Sequence, residues 1–228
     1  MELENYYYLF INAIAFVPVF LLSFDKKVAF WKLKKPAFKS ISIVGLLFIL
    51  WDIYFTHIGI WGFNETYLVG INLFGIPIEE ILFFVTIPYA SLFTFETIQQ
   101  YFREATLQNL GRLFLGSVFG FSFLFMFLGF DKTYTGPTVT LTLITSFSFL
   151  FLDSKWIGHF ALTFFLLLIP FLLLNGILTG SFIESEIVWY NENEILGKRI
   201  GTIPIEDLFY AFLLLIWNFH LFEKFKRE

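Results

Sequence analysis

Long, continuously apolar runs separated by short polar segments make up this chain, and nowhere do apolar and polar positions alternate for long. About 17–25 apolar residues cross the hydrocarbon core of a bilayer as a helix. That measure predicts seven membrane helices, near residues 6–24, 41–59, 77–95, 113–130, 137–152, 156–178 and 204–222, the fifth being short. Barrel strands would alternate lipid-facing and lumen-facing residues, so the pattern predicts an all-α polytopic fold. The N-terminal MELENYYY is acidic and lacks the basic start and small-residue cleavage site of a signal peptide.

Composition supports the bilayer as solvent. Hydrophobic residues make up 57% of the 228 positions and charged ones 15%, against about 45–50% and about 25% in soluble domains. The 35 Phe, 10 Tyr and 6 Trp exceed what one water-soluble core of this size can bury. A net charge of -4 argues against a nucleic-acid partner, which calls for a basic patch. The absence of cysteine removes disulfides, thiol nucleophiles and cysteine-ligated metals.

Seven helices place the termini on opposite sides, and the Lys/Arg distribution selects the cytoplasmic one. With the N-terminus outside, the inner segments hold Lys26, Lys27, Lys32, Lys34, Lys35, Lys39, Arg103, Arg112, Lys155, Lys224, Lys226 and Arg227. The outer segments hold Lys132, Lys198 and Arg199. The positive-inside bias therefore predicts a multi-pass cell-membrane protein with a cytoplasmic C-terminus.

Ile76-Pro77-Ile78-Glu79-Glu80 recurs 127 positions later as Ile203-Pro204-Ile205-Glu206-Asp207. The same offset aligns Phe83 with Tyr210 and Phe95-Glu96 with Phe222-Glu223; "SFDKK" at Asp25 and "FLDSK" at Asp153, and Asp52 and Asn175, match only with gaps. Two three-helix repeats are expected, residues 1–105 with helices 1–3 and 133–228 with helices 5–7, joined by a connecting helix in 106–132. Corresponding helices then run in the same direction, as parallel repeats whose sites lie at the repeat interface. Both acidic pairs fall near the outer face, with Asp52 and Asn175 in a similar layer.

Proline suits the first turn of a helix, so Pro77 and Pro204 are expected to start helices 3 and 7 with Glu79, Glu80, Glu206 and Asp207 in their first turns. Carboxylates there can be simple caps that compensate the macrodipole. Alternatively, acids within a membrane mark functional pathways, and a pair of them can supply a proton donor and an acceptor. Successive helical residues point about 100° apart, so one member of each pair faces a given substrate atom; the first acid has Phe83 or Tyr210 at i+4. A proton donor beside aromatic faces in a dry cavity suits carbocation chemistry. Trp51, Tyr54, Trp61, Trp189, Tyr190, Phe209 and Tyr210 are the aromatics on that side, each also readable as an interfacial belt residue.

These residues resemble the integral-membrane lycopene cyclases of bacteria, archaea and fungi, which occur as heterodimers or fused two-repeat chains. The resemblance spans essentially the whole chain and rests on "SFD" after helix 1, "PIEEILFF" on helix 3, "NGILTG" at Asn175–Gly180 and "GKRIGTIPIEDLFY" from Gly197 to Tyr210. It implies a non-redox isomerisation: the terminal double bond of lycopene or a related acyclic carotenoid is protonated, the cation closes a six-membered ring, and a proton is lost. Glu79, Glu80, Glu206 and Asp207 match the acidic motif positions. Arg199 matches a basic position able to bias a nearby acid. Asp52, Asn175, Trp51, Trp61, Phe83, Tyr190, Phe209 and Tyr210 are the expected supporting or substrate-binding residues. No G-x-G-x-x-G follows a strand, so no flavin or other cofactor is expected; membrane lipid is the expected surrounding partner.

His57, His159 and His220 lack metal-ligand spacing, and no metal is expected. Gly116-x-x-x-Gly120 is a helix-packing spacing, and self-association into a homo-oligomer is compatible with the chain. The 25-residue stretch 179–203 exceeds the usual length of a structureless connection and is expected to form a lid or a short interfacial helix. A retinal-linked photoreceptor is disfavoured because helix 7 has no lysine for a Schiff base. The other alternative is a proton-coupled transporter or a carotenoid- or lipid-binding scaffold, since duplicated acids also serve as proton relays.

Overall fold

Each predicted apolar run becomes an α-helix in the computed structural model, which describes residues 3–102, 107–152 and 155–228. The helices are α1 (Tyr7–Leu22), α2 (Lys34–His57), α3 (Ile78–Tyr101), α4 (Gln108–Gly129), α5 (Thr135–Phe151), α6 (Ile157–Leu178) and α7 (Glu206–Phe225). Six helical segments are long and apolar enough to cross a membrane, and α5 is a shorter apolar helix of 17 residues. Their outward faces carry large apolar side chains, such as Leu113, Phe127 and Ile169, exposed by 71%, 75% and 65%. Lipid, which needs no polar covering, is the solvent for such a surface, and the protein is a membrane protein. Arg103 of the inner segments and Asp153 of "FLDSK" lie outside the described residues.

Several boundaries differ from those expected. The second helix begins at Lys34 rather than near residue 41, because lysine is a good helix former and can carry its charge out to the interface. For the same reason polar ends extend α3 to Tyr101 and start α4 at Gln108. The prolines sit just before α3 and α7 rather than inside their first turns. Pro77 is the residue flanking α3, and Pro204 lies in a strand two residues before Glu206.

Short strands organise the acid-bearing end: β1 (Trp61–Phe63), β2 (Asn72–Leu73), β3 (Ile76–Pro77), β4 (Val188–Tyr190), β5 (Arg199–Ile200) and β6 (Ile203–Pro204). Hairpins β2–β3 and β5–β6 are antiparallel with identical register at the 127 offset. Gly70 and Gly197, equivalent by that offset, both have positive φ, 83° and 71°, a conformation only glycine adopts without strain. Strand β1 pairs with β4, joining the two halves through Trp61–Tyr190, Gly62–Trp189 and Phe63–Val188. Exchanging residue n for n+127 carries this ribbon onto itself. Of the two forms expected for the stretch 179–203, a lid or a short interfacial helix, the helix is not formed: the stretch contains strand β4 and the β5–β6 hairpin.

Helix packing follows the same exchange. The central α3 and α7 pack on each other; α1 and α6 flank α3 as α5 and α2 flank α7, and α4 lies against α5 and α6. Gly116 and Gly120 do not make the expected close crossing, since a Cβ on either would meet nothing within 4 Å. The tight α4–α6 contact falls at Gly111 and Gly158 instead, where a Cβ on Gly158 would lie 2.2 Å from the Leu107 carbonyl oxygen. Small residues pack helices only where another backbone arrives, and none arrives at Gly116.

Candidate active site

The first turns of α3 and α7 hold all four acids, buried to 0% exposure at Glu79 and Glu206, 8% at Glu80 and 6% at Asp207. The two members of each pair turn in different directions. Glu79 accepts from the Val69 N–H at 2.7 Å, and Glu206 accepts from the Leu196 N–H at 2.7 Å. Both donors lie ten residues upstream, beyond the hairpin, so each first acid fastens its own hairpin to the helix start. Glu206 also accepts from Thr135 Oγ1 at 2.5 Å. Neither side chain lines the cavity described next.

Glu80 and Asp207 open instead onto one cavity of about 470 Å³ between the two halves. Tyr8 donates a hydrogen bond to Glu80. Asp207 accepts three: from Tyr134 at 2.7 Å, Tyr190 at 2.9 Å and Asn175 at 2.9 Å. Burial first, and then the charge of Asp207, raise the Tyr190 hydroxyl well above its ordinary value, which keeps it a donor. Asp52 joins the same wall and accepts from the Trp61 indole N–H at 2.6 Å, while its second oxygen is buried without a partner. The Tyr210 hydroxyl is likewise buried and unpartnered.

Aromatic faces surround this polar head. The Trp61 ring lies 5.1 Å from Tyr134 and 6.2 Å from both Tyr190 and Tyr210, each near edge-on. Such rings present negative faces to a developing cation. Phe83 and Tyr210 also line the cavity. They accompany the second acid of each pair at i+3, whereas the expected alignment was with the first acid at i+4; the hairpin tether rotates Glu79 and Glu206 out of that face.

Other expected residues lie elsewhere. Trp51 packs edge-on to Tyr210 at 5.3 Å but does not line the cavity. Phe209 packs on Phe125 of α4 at 5.3 Å. Arg199 is exposed and bonds the Thr202 carbonyl and Glu192 across its hairpin, away from the four acids. Asp25 of "SFD" accepts from the Lys27 and Val28 N–H groups, which hold its carboxyl below the usual range; it forms a turn at the opposite end of α1. Tyr8 and Tyr134, the donors to Glu80 and Asp207, were not anticipated. The signal was present in the repeat, for the 127 offset sets Tyr7 opposite Tyr134.

Buried carboxyls from two central helices, hydrogen-bonded by tyrosines and facing one apolar, ring-lined space, can hold and move a proton away from water. The family model described as lycopene cyclase matches this chain over residues 5–98 and again over 131–225. No curated protein and no solved structure matches it.

Proposed function

The chain belongs to the lycopene cyclase family, a cyclase acting on carotenoid, and from that premise we propose that it is a lycopene β-cyclase working by acid–base isomerisation. The supporting observation is the convergence of Glu80 and Asp207, one from each matched region, on a single apolar cavity walled by aromatic rings. In this reading Glu80, which among the described residues accepts a side-chain hydrogen bond from Tyr8 alone, donates its proton to the terminal double bond of lycopene. The positive charge forms on the tertiary carbon. The neighbouring double bond attacks that carbon, closing a six-membered ring and passing the charge to a ring carbon. Asp207, whose three donors compensate a negative charge, takes a proton from the adjacent C–H, leaving a ring double bond. Return of that proton to Glu80 resets the pair, and substrate and product are isomers.

Trp61, Phe83, Tyr190 and Tyr210 stabilise the cation through their faces, and exclusion of water prevents its capture. Glu79 and Glu206 act structurally, as tethers of the hairpins. The chain is divided as residues 1–105, 106–132 and 133–228, two parallel repeats about a connecting helix, with seven spans and the N-terminus outside the cell membrane. A transporter would need a free polar path at the opposite end; there Glu96 and Glu223 are both ion-paired to Lys226 at 2.9 and 2.6 Å.

Expression in cells that accumulate lycopene tests the assignment. Chromatography should resolve β-ring carotenes with the wild-type chain, and Glu80→Gln or Asp207→Asn should leave lycopene unconverted at equal folded yield. Unchanged pigment with inserted wild-type protein would overturn it.

A further inference from the structure

The cavity is not shared equally between the halves. Its head contains Glu80 and Asp207 together, and below the head α7 lines it only as far as Ala211, Leu214 and Leu215, whereas α3 lines it further, past Ile87, Ala90, Ser91 and Thr94. From Glu80 to Thr94 is fourteen positions, about 21 Å of helix at 1.5 Å per residue. On α7 the counterparts of Ala90, Ser91 and Thr94 at the 127 offset are Trp217, Asn218 and Leu221, and none of these lines the cavity. The Trp217 ring, 40% exposed, packs 5.6 Å from Phe149 of α5, placing an indole where α3 has a methyl group.

The helices beside the open groove differ in kind from those flanking α7. Both α1 and α6 carry an interior proline, Pro18 and Pro170, whereas α2 and α5 have proline only in their first turns, at Pro36 and Pro137. An interior proline withdraws the hydrogen bond to the carbonyl four residues before it and bends the helix. For Pro18 that carbonyl belongs to Ile14. Ile14 and Leu173 line the cavity from α1 and α6 and are also 64% and 56% exposed, so they form the lips of a slot that faces lipid.

We propose that this groove is the one binding site for the polyene arm of the substrate, entered sideways from the bilayer between α1 and α6, so that each binding event presents a single end group to the acids. The proposal rests on the cyclase reading for the identity of its occupant. The groove is predominantly apolar, continuous with the acid-bearing head, and opens where an acyclic polyene is dissolved. Glu80 and Asp207 both belong to this one head, so the far end of a polyene lying along α3 meets neither acid. Closing both ends therefore requires release of a one-ring intermediate and re-entry in the opposite sense.

Purified protein in nanodiscs is titrated with lycopene, reading the circular dichroism induced in the polyene band, which reports binding without turnover. Saturation at one polyene per chain is expected. Ile14→Trp and Ala90→Phe should weaken it at least about tenfold, a loss of ~1.4 kcal/mol, while Leu141→Trp, on the exposed face of α5, and Trp217→Ala, at the position matching Ala90, should not. The Ile14 and Leu141 changes sit on lipid-facing surface and serve if Ala90→Phe does not fold. In a turnover time course, the one-ring intermediate should exchange with labelled one-ring carotene added to the membrane. Two polyenes per chain, equal effects of the paired variants, or conversion of both ends without exchange would overturn the proposal. Binding as expected with no cyclic product would instead refute the cyclase reading and leave the groove standing.

Discussion

Replacing the first acid of each pair separates tethering from chemistry. Glu79→Leu strands the Val69 N–H, which now donates to the buried Glu79 at 2.7 Å from a part-buried position; a buried donor left unsatisfied costs about 1–3 kcal/mol, and this one belongs at the lower end. Glu206→Leu strands two donors, the Leu196 N–H at 2.7 Å and Thr135 Oγ1 at 2.5 Å. The cost rises to about 2–6 kcal/mol if both remain unpaired, and less if the hydroxyl rotates to another acceptor. Glutamine keeps an acceptor oxygen for either backbone N–H. Its amide takes the place of Oε2, which has no partner in either residue, so Glu79→Gln keeps the tether but leaves the amide unpaired and should fall between wild type and Glu79→Leu.

Thermal unfolding of detergent-purified protein, followed by fluorescence-detected size exclusion, should therefore rank wild type, Glu79→Gln, Glu79→Leu and Glu206→Leu in falling order. Turnover per folded molecule, measured on lycopene-loaded membranes, should stay within a few-fold of wild type for Glu79→Gln. Glu80→Gln should show the reverse pattern, nearly full stability with turnover lost. If Glu79→Gln melts like wild type yet makes no cyclic carotene, while Glu80→Gln still turns over, the division of labour is wrong.

Gly158→Ala should lower stability by about 1–3 kcal/mol, the usual cost of overpacking, since its Cβ would meet the Leu107 carbonyl oxygen at 2.2 Å; Gly116→Ala, with nothing within 4 Å, should raise or preserve the melting temperature. Trp61→Phe removes the one donor to Asp52 and should cost about 1–3 kcal/mol together with a fall in turnover, both read from the assays above. The raised Tyr190 hydroxyl predicts an alkaline limit. Below the unfolded value near 10 its contribution is intact, and above it the unfolded chain ionises while the folded one resists, so stability falls as pH rises. Tyr190→Phe should make that fall shallower in unfolding measured between pH 9 and 11.

The helices were legible because a bilayer leaves apolar runs nothing else to become, and the prolines marked where the acids enter their first turns. Which acid faces the cavity was not legible. Glu79 and Glu80 are chemically alike and adjacent, and the choice is made by the Val69 N–H ten residues upstream, brought back by a hairpin whose register the motif alone does not reveal. Tyr8 and Tyr134 escaped for a related reason. They lie 72 and 73 positions before the acids they serve, so the two copies slip by one residue and a gap-free comparison pairs the wrong tyrosines. Gly116 and Gly120 show the converse error, a spacing that packs helices elsewhere but here faces open space.

The 127 offset carries β1 through α3 onto β4 through α7 without gaps, the part of each copy nearest the line about which the halves exchange. Gly62 and Trp189 explain why that part is both well matched and unequal. They are each other's counterparts and also each other's strand partners, so whatever stands at this position faces its own equivalent. A Cβ on Gly62 would lie 2.3 Å from the Trp189 ring; two large residues would collide, and two glycines would leave the ribbon uncovered. Identical subunits must be self-complementary at such a point, whereas two copies fused in one chain are free to differ. Trp189 against Gly62 at the ribbon, Trp217 against Ala90 in the groove, and Asp207 with three donors against Glu80 with one are then related divergences. On the proposed cyclase reading, each gives the two halves different tasks around one shared cavity, as a reaction needing both a proton donor and a proton acceptor requires.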